Sequence, residues 1–197
     1  MADAVVPVSL ALKGEQYAHE LWRYKNVAGP QRQYFRTGLA AVLWRFLEAH
    51  EACIARRCAV PGFDVGTTVP STSGRQTAHP LRAMVADMIG ATRARHRDLL
   101  RATPKAADLG RTASPARYVA SALWGEHVLL VDDTWTTGNH VQSAAAALKS
   151  AGAGTVAVVV LGRHLNSSYQ DTAAHVEQAR LRRFSWDVCS VRPWAHS

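Results

Sequence analysis

The sequence predicts an α/β protein built around a parallel β-sheet. Residues 128–131 and 155–161 form two almost wholly apolar runs, which are typical of strands buried on both faces inside such a sheet. Between them, residues 139–150 are rich in alanine and favour a helix, so the order of elements predicts a right-handed strand–helix–strand unit. We expect a single domain spanning residues 1–197, because this length suits one α/β core.

Three elements are predicted in the first sixty residues. Residues 5–12 favour a strand, and Pro7 indicates an edge position because proline cannot donate a ladder hydrogen bond. Residues 15–24 fit either a second strand or a short helix. A long helix is predicted at 31–56, with one apolar face formed by Phe35, Leu39, Val42 and Phe46.

The middle of the chain adds a second strand–loop–helix arrangement. Residues 63–69 predict a central strand, and the loop 70–75 that follows is small, hydroxylated and carries one arginine. A helix is predicted from residue 79, because apolar residues recur at helical spacing at Leu81, Met84, Val85, Met88 and Ile89. The remaining predicted elements are a strand at 118–123 and a helix at 170–183.

The chain is basic, with a formal net charge of +8 and a pI of about 9.9. Residues 92–117, which we predict to form a long mobile loop, contain seven basic residues against two acidic ones. This balance favours anionic partners such as phosphates or nucleic acid without choosing among them. Nucleic acid is the less favoured partner, because no aromatic residue interleaves with these bases before Tyr118.

The cysteine content and the hydropathy of the sequence predict the cellular compartment of the protein. The three cysteines, Cys53, Cys58 and Cys189, are too few for a disulfide framework and fit a reducing compartment. No signal peptide is recognised, and the longest apolar run, 156–161, is too short to span a bilayer, so we expect a cytoplasmic protein without a membrane partner. Buried free thiols explain the cysteines better than a metal site with His50, although that alternative stays open.

The stretch 128–140 contains the residues that predict a binding site. Its strand ends in Asp132 and Asp133, a threonine-rich turn reaches Gly138, and a helix begins with Asn139 or a neighbour as its N-cap. Unpaired N–H groups and the helix dipole make such a turn a site for anions. Carboxylates can accept hydrogen bonds from sugar hydroxyls, so the stretch predicts a site for a phosphorylated sugar. No Gly-x4-Gly-Lys-Ser/Thr pattern is present, which excludes a P-loop.

This stretch resembles the phosphoribosyl-diphosphate (PRPP) motif of the type I phosphoribosyltransferases. That motif has four apolar residues, two acidic residues, two mostly aliphatic residues and Thr-Thr-Gly-x-Thr, and its order and spacing agree over all thirteen positions. Three residues depart from it: Thr134 and Trp135 replace aliphatic residues, and His140 replaces the hydroxyl that usually reaches the 5′-phosphate. The layout is similar to the competence-associated and amidophosphoribosyltransferase-like branch.

The resemblance implies a parallel-sheet, Rossmann-like phosphoribosyltransferase fold, with a core at about 60–165 and a small hood built from residues 1–30 and 165–197. It implies an enzyme that uses PRPP and Mg²⁺ to transfer a 5-phosphoribosyl group to a nitrogen nucleophile, a nucleobase or an amine, with release of diphosphate. A homodimer is implied as well. The alternative is a non-catalytic PRPP-sensing or nucleic-acid-associated protein of the same fold, which the altered positions and the +8 charge would suit.

The resemblance also implies roles for individual residues. Asp132 and Asp133 would be the catalytic carboxylates, binding the ribose hydroxyls and contacting the metal indirectly through ribose or water. The 5′-phosphate would bind Thr134, Trp135, Thr136, Thr137, Gly138, Asn139 and His140. The diphosphate would bind Ser71, Thr72, Ser73, Gly74 and Arg75, covered by Arg101, Lys105 and Arg111 of the flexible loop. Arg163 and His164 would lie on the acceptor side.

Overall fold

A computed structural model of the chain describes residues 1–72, 79–106, 108–110, 112–166, 170–181, 185–188 and 191. The strands are β1 (Ala4–Leu12), β2 (Val65–Thr68), β3 (Leu100–Ala102), β4 (Tyr118–Ala120), β5 (His127–Trp135) and β6 (Thr155–Leu165). The α-helices are α1 (Gln16–Asn26), α2 (Gly29–Arg57), α3 (Pro80–Ala83), α4 (Gly90–Arg93), α5 (Asn139–Ser150) and α6 (Gln170–Arg180). Shorter turns are a π-helix at Met84–Met88 and 3₁₀ turns at Pro104–Ala106 and Pro115–Arg117.

The central sheet has four strands in the order β1-β6-β5-β2, and every pair of neighbours is parallel. β5, α5 and β6 follow one another in the chain, and β5 and β6 lie side by side, as the sequence predicts. β3 and β4 form a separate antiparallel pair. The prediction of an α/β protein with a parallel sheet is therefore confirmed.

The N-terminal strand lies in the sheet rather than over it. Residues 4–12 were expected to contribute to a hood, but β1 pairs in parallel with the outer side of β6, with Pro7 opposite Val160. The predicted strand and its edge position are both confirmed. The physical reason is that β6 would otherwise leave a row of unpaired backbone groups, which β1 satisfies. Residues 15–24, for which the sequence left strand and helix open, belong to helix α1.

Two apolar cores cover the two faces of the sheet. Successive side chains of a strand point to opposite faces, so Leu129 and Val131 join one core whereas Val128 and Leu130 join the other. Helices α1 and α2 and the short helices after residue 79 cover the first face, and α5 with the β3–β4 pair covers the second. This alternation decides on which side each residue that follows Val131 is placed.

The long helix predicted at 31–56 is confirmed as α2, and the helix predicted from residue 79 is found at residues 80–88, as α3 followed directly by the π-helix. Ile89 takes an extended conformation with φ −98° and ψ 110°, which separates the π-helix from α4. The hydroxyl of Thr92 donates hydrogen bonds to the carbonyl oxygens of Val85 and Ile89, at 2.7 and 3.1 Å. The side chain of Thr92 thus links α4 to the π-helix that precedes it.

The described residues of the basic segment 92–117 include short regular elements. They contain β3 and two 3₁₀ turns, and they end in Arg117, a residue that is 1 % exposed. This guanidinium donates hydrogen bonds to the carbonyl oxygens of Ala106, Gly110 and Thr112, at 2.6, 2.9 and 2.9 Å. The predicted loop is therefore corrected where β3 and the short turns form, and its mobility stays a prediction.

The C-terminal part is described only in short stretches. Helix α6 confirms the predicted helix up to Arg180, and residues 182–184, at the end of that prediction, lie outside the described part of the chain. Among the helices whose residues are described, none is long and apolar enough to cross a membrane.

Candidate functional site

A cleft of about 440 Å³ opens at the carboxyl ends of the parallel strands. Parallel strands end at the same edge of a sheet, so residues that follow different strands meet there. The walls of the cleft come from the ends of β1, β5 and β6, the loop after β2, the first turn of α5 and the inner side of α1. Its apolar part is formed by Ala11, Ala18, Leu21, Trp22, Val69, Pro70 and Val141.

Asp133 is a buried side chain of the cleft, and both of its carboxylate oxygens accept hydrogen bonds. Its residue is 4 % exposed, its Oδ2 accepts a hydrogen bond from the Tyr24 hydroxyl, and its Oδ1 lies 2.5 Å from Nζ of Lys25. Burial alone would raise the pKa of this carboxyl. The charge of Lys25 and the hydrogen bonds from Lys25 and Tyr24 outweigh it and hold the pKa below its usual value. Asp133 is therefore a buried, ionised carboxylate with a cationic partner.

Asp132 points to the opposite face and meets a different environment. Its Oδ1 accepts a hydrogen bond from the backbone N–H of Asp133, at 2.9 Å. Burial of the carboxyl, together with the negative charge of Asp133, raises its pKa well above the ordinary value. The two neighbouring carboxyls are thus unequal, and protonation of the pair begins at Asp132.

The turn between β5 and α5 depends on Gly138. This residue is the N-cap of α5 and has φ +77°, a conformation that favours glycine; the sequence predicted Asn139 or a neighbour. A Cβ at position 138 would lie 2.3 Å from the indole of Trp135. The indole therefore packs beneath the turn, whereas Thr136 and Thr137 are exposed and line the cleft. Hydroxyls and the amino end of a helix are donors suited to an anion.

His140 begins the helix side of the turn, and its surroundings favour the neutral form of its ring. Its Nδ1 lies 3.1 Å from the hydroxyl of Tyr118, so the two groups share a hydrogen bond. Partial burial and the nearby charge of Arg117 lower the pKa of His140. Burial and the charge of Asp132 raise the pKa of Tyr118, so the phenol keeps its proton. We conclude that His140 acts in this cleft as a neutral hydrogen-bonding group.

His79 completes the polar part of the cleft. Its Nδ1 accepts a hydrogen bond from the backbone N–H of Leu81 at 3.3 Å, as the N-cap of α3. This bond leaves the proton of the neutral ring on Nε2, which lies 3.8 Å from Oδ2 of Asp133. His79 therefore presents an N–H donor beside Asp133.

Most of the residues assigned from the sequence line this one cleft. They are Ser71, Thr72, Asp132, Asp133, Thr134, Thr136, Thr137, Gly138, Asn139, His140 and His164. Four others do not line it: Trp135 packs beneath the turn, Arg101 and Lys105 are exposed on the β3 segment, and Arg163 is exposed beside His164. Ser73, Gly74, Arg75 and Arg111 lie outside the described residues.

Sequence analysis missed four polar side chains of the site: Tyr24, Lys25, His79 and Tyr118. Tyr24 and Lys25 lie more than one hundred residues before Asp133 in the chain, and no local pattern links them to it. His79 was visible only as the residue before Pro80 at a helix start. Tyr24, Lys25 and His79 enter the site through packing of α1 and α3 against the sheet, and Tyr118 enters it from β4.

A metal site of cysteine and histidine is not found in the described part of the chain. No group of three or more His, Cys, Asp or Glu side chains there could hold a metal ion. Cys53 and Cys58 are free thiols, as predicted, and their burial is partial. His50 is buried, and its ring lies 5.1 Å from that of Phe46. Cys189 lies outside the described residues.

The fold and the cleft define an α/β protein with a polar cleft at the carboxyl edge of its parallel sheet, containing one paired carboxylate, a second carboxyl and a hydroxyl-rich turn. No protein-family model matches the chain, and no curated protein matches it either.

Proposed function

We propose that the protein is a phosphoribosyltransferase that binds PRPP with Mg²⁺ and transfers the 5-phosphoribosyl group to the nitrogen of a nucleobase or an amine, releasing diphosphate. One observation carries the proposal. The two carboxyls that end β5, the threonine-rich turn before α5 and the hydroxyls of Ser71 and Thr72 after β2 line the same cleft. A ligand with a sugar between two phosphate groups matches this order of polar groups.

The turn would hold the 5′-phosphate. Thr136, Thr137 and the first N–H groups of α5 supply hydrogen-bond donors, and Gly138 permits a close approach of the backbone. His140 adds a neutral hydrogen-bonding group where the related motif has a hydroxyl. The departure at His140 therefore changes the chemistry of one contact and preserves the turn.

The aspartates would act on the ribose. Glycosyl transfer develops positive charge at C1, and the ionised Asp133 supplies negative charge on the cleft wall that favours it. Asp132, whose pKa is raised, can both donate and accept hydrogen bonds with sugar hydroxyls. His164 at the end of β6 would face the acceptor, whereas Arg163 is left without a role because it lies outside the cleft.

The described residues could supply part of a Mg²⁺ coordination shell, with the ligand and water supplying the rest. Mg²⁺ commonly takes one or two carboxylates and completes its shell with phosphate oxygens and water. The carboxyl of Asp132 is the group that would contribute, either directly or through ribose or water, since Asp133 is already paired with Lys25. When bound, the metal would neutralise charge on the departing diphosphate.

Titration calorimetry with PRPP and Mg²⁺ tests the proposal, followed by an assay of diphosphate release with a panel of nucleobases and amines. Asp132→Asn is the most informative variant, because it removes the carboxylate while the asparagine can still accept the hydrogen bond from the N–H of Asp133. We expect it to weaken PRPP binding by about tenfold or more, because an amide cannot supply the carboxylate that Asp132 would contribute to Mg²⁺. Asp108→Asn, at an exposed position outside the cleft, is the matched control. A folded wild type that does not bind PRPP would contradict the proposal.

One observation supports the alternative of a PRPP-binding protein without turnover. Both oxygens of Asp133 already accept hydrogen bonds within the protein, and its charge is balanced by Lys25. Such a carboxylate stabilises a developing cation less than an unpaired one. Saturable PRPP binding without diphosphate release, whatever acceptor is offered, would identify a sensor.

A further inference from the structure

Lys25 is the one lysine or arginine that lines the cleft among the described residues. It lies in the last turn of α1, and α1 is anchored on the end of β6 by two contacts. The Tyr17 hydroxyl donates a hydrogen bond to the carbonyl oxygen of Leu161 at 2.9 Å. Leu21 packs so closely on Gly162 that a Cβ there would lie 2.4 Å from the leucine Cδ1. The position of Lys25 is therefore fixed by packing.

The ammonium of Lys25 is held at the wall of the cleft by a buried partner. Its Nζ lies 2.5 Å from Oδ1 of Asp133, and the side chains are 29 % and 6 % exposed respectively. An ammonium carries three N–H donors, and the bond to Asp133 uses one of them. A cation that pairs with one buried carboxylate while part of its side chain remains exposed in a cleft is suited to meet an anionic ligand.

The side chains of Lys25 and His79 approach the cleft from a different face of the sheet than the turn 134–138 does. Asp133 shares its face of β5 with Leu129 and Val131, and Lys25 and His79 approach it from that face. The turn 134–138 leads into α5, which covers the other face. A ligand that places one anionic group on the turn would bring a second, distant anionic group toward Lys25.

We propose that Lys25 is a ligand-binding cation that contacts the anionic group of the ligand remote from the turn 134–138. The inference rests on the proposed function, in which this remote group is the diphosphate at C1 of PRPP. His79, whose Nε2–H lies beside Asp133, provides a second donor on the same side. The ion pair with Asp133 positions the ammonium before the ligand arrives, which lowers the entropy lost on binding.

Three ligands distinguish this role from a purely structural one: PRPP, ribose 5-phosphate and inorganic diphosphate, each titrated in the presence of Mg²⁺. Lys25→Gln removes the charge and retains an N–H donor for Asp133. We expect the affinity for PRPP and for diphosphate to fall by about tenfold or more, and that for ribose 5-phosphate to change by less than about twofold. Lys13→Gln, at an exposed turn outside the cleft, should leave all three affinities unchanged.

The failures of the two proposals are distinguishable. If the wild type binds PRPP and Lys25→Gln binds it equally well, the inference is overturned and the proposed function stands. An equal loss for all three ligands would show that Lys25 only maintains the fold, and would also overturn the inference. If the folded wild type binds no PRPP, both proposals fail.

A measurement on the wild-type protein covers the case in which Lys25→Gln does not fold. Lysine side chains are acetylated at limiting reagent, and the modification of Lys25 is followed by mass spectrometry. PRPP and diphosphate should protect Lys25, ribose 5-phosphate should not, and the exposed Lys13 should react equally in every sample. Equal modification of Lys25 with and without PRPP, at concentrations where PRPP is bound, would overturn the inference.

Discussion

The hydroxyl of Tyr24 donates a hydrogen bond to Oδ2 of Asp133, although 109 residues separate the two in the chain. The bond joins the last turn of α1 to the end of β5, and both residues are buried. Burial and the charge of Asp133 raise the pKa of Tyr24 well above its ordinary value, so the phenol keeps its proton at neutral pH. The carboxylate of the cleft is thus held in its ionised form by side chains that lie more than one hundred residues earlier in the chain.

Tyr24→Phe should destabilise the protein by about 1–3 kcal/mol, the usual cost of leaving a buried charged acceptor with one partner fewer. It should also raise the pKa of Asp133, because one of the hydrogen bonds that favour the ionised form is removed. Urea denaturation at neutral pH measures the first effect. Tyr34→Phe, at a tyrosine that is 76 % exposed on α2, serves as the control and should be neutral. Equal stability of Tyr24→Phe and wild type would argue against a strong bond.

The raised pKa of Asp132 predicts a specific dependence of stability on pH. An unfolded aspartate titrates near pH 3.9, whereas the folded carboxyl holds its proton to higher pH. Between these two pKa values the folded state binds more protons than the unfolded state, so the contribution of Asp132 to stability declines as pH rises. Asp132→Asn does not titrate and escapes this decline.

The free energy of unfolding of Asp132→Asn, relative to wild type, should therefore increase as the pH is raised above about 4 and level off above the folded pKa. Denaturant titrations across a pH series measure it. Asp108→Asn, at an exposed position, provides the reference for a generic aspartate. A stability difference that is independent of pH would show that the environment of Asp132 is not the one described. The effect of Asp133 on stability has the opposite dependence on pH, because its pKa is lowered in the folded state. Its contribution is present above the pKa of the unfolded aspartate and is lost as the pH falls through the pKa of the folded one.

Gly138→Ala should damage the phosphate turn for two reasons. A residue with a side chain is strained at φ +77°, and its Cβ would overlap the indole of Trp135. We expect a loss of about 2–4 kcal/mol in the free energy of unfolding, together with loss of PRPP binding. Gly14→Ala separates the two causes, because Gly14 has φ +88° but open space around its Cβ position. That variant should lose only about 1 kcal/mol, and equal effects at both glycines would contradict the role of Trp135.

Arg117→Lys should destabilise the segment between β3 and β4. A lysine retains the charge but cannot donate to the carbonyl oxygens of Ala106, Gly110 and Thr112 together. We expect the free energy of unfolding to fall by about 2–4 kcal/mol, because buried hydrogen bonds to a charged group are lost. Arg93→Lys, at an exposed site in α4, should change it by less than about 0.5 kcal/mol. Similar stabilities of the two variants would show that Arg117 does not order this segment.

Local patterns in the sequence were sufficient for the centre of the fold. The apolar runs predict β5 and β6, and their continuity predicts burial on both faces of a parallel sheet, because only such strands exclude polar residues from both sides. The carboxyl edge of that sheet follows from the direction of the strands, which places Asp132, the turn to Gly138 and Ser71 in one cleft.

The sequence was less informative where order depends on single polar side chains. The segment 92–117 has the composition of a loop, yet its described residues include β3, and the buried Arg117 donates to three carbonyl groups within it. The helix predicted from residue 79 has regular apolar spacing, yet its second half is a π-helix, and the hydroxyl of Thr92 donates to the carbonyl oxygens of Val85 and Ile89 where it ends. Periodicity records which face of an element is apolar and carries no information on such polar contacts.

By itself the sequence determined the class of fold, the position of both aspartates and the turn that follows them, because these depend on residues adjacent in the chain. Only the tertiary structure decided how the two aspartates differ. Packing of α1 against the end of β6 brings Tyr24 and Lys25 to Asp133, whereas the alternation of side chains along β5 turns Asp132 to the other face. Contacts across 108 and 109 residues leave no local pattern, since each helix forms for its own apolar face and its polar neighbours are set by how that face packs.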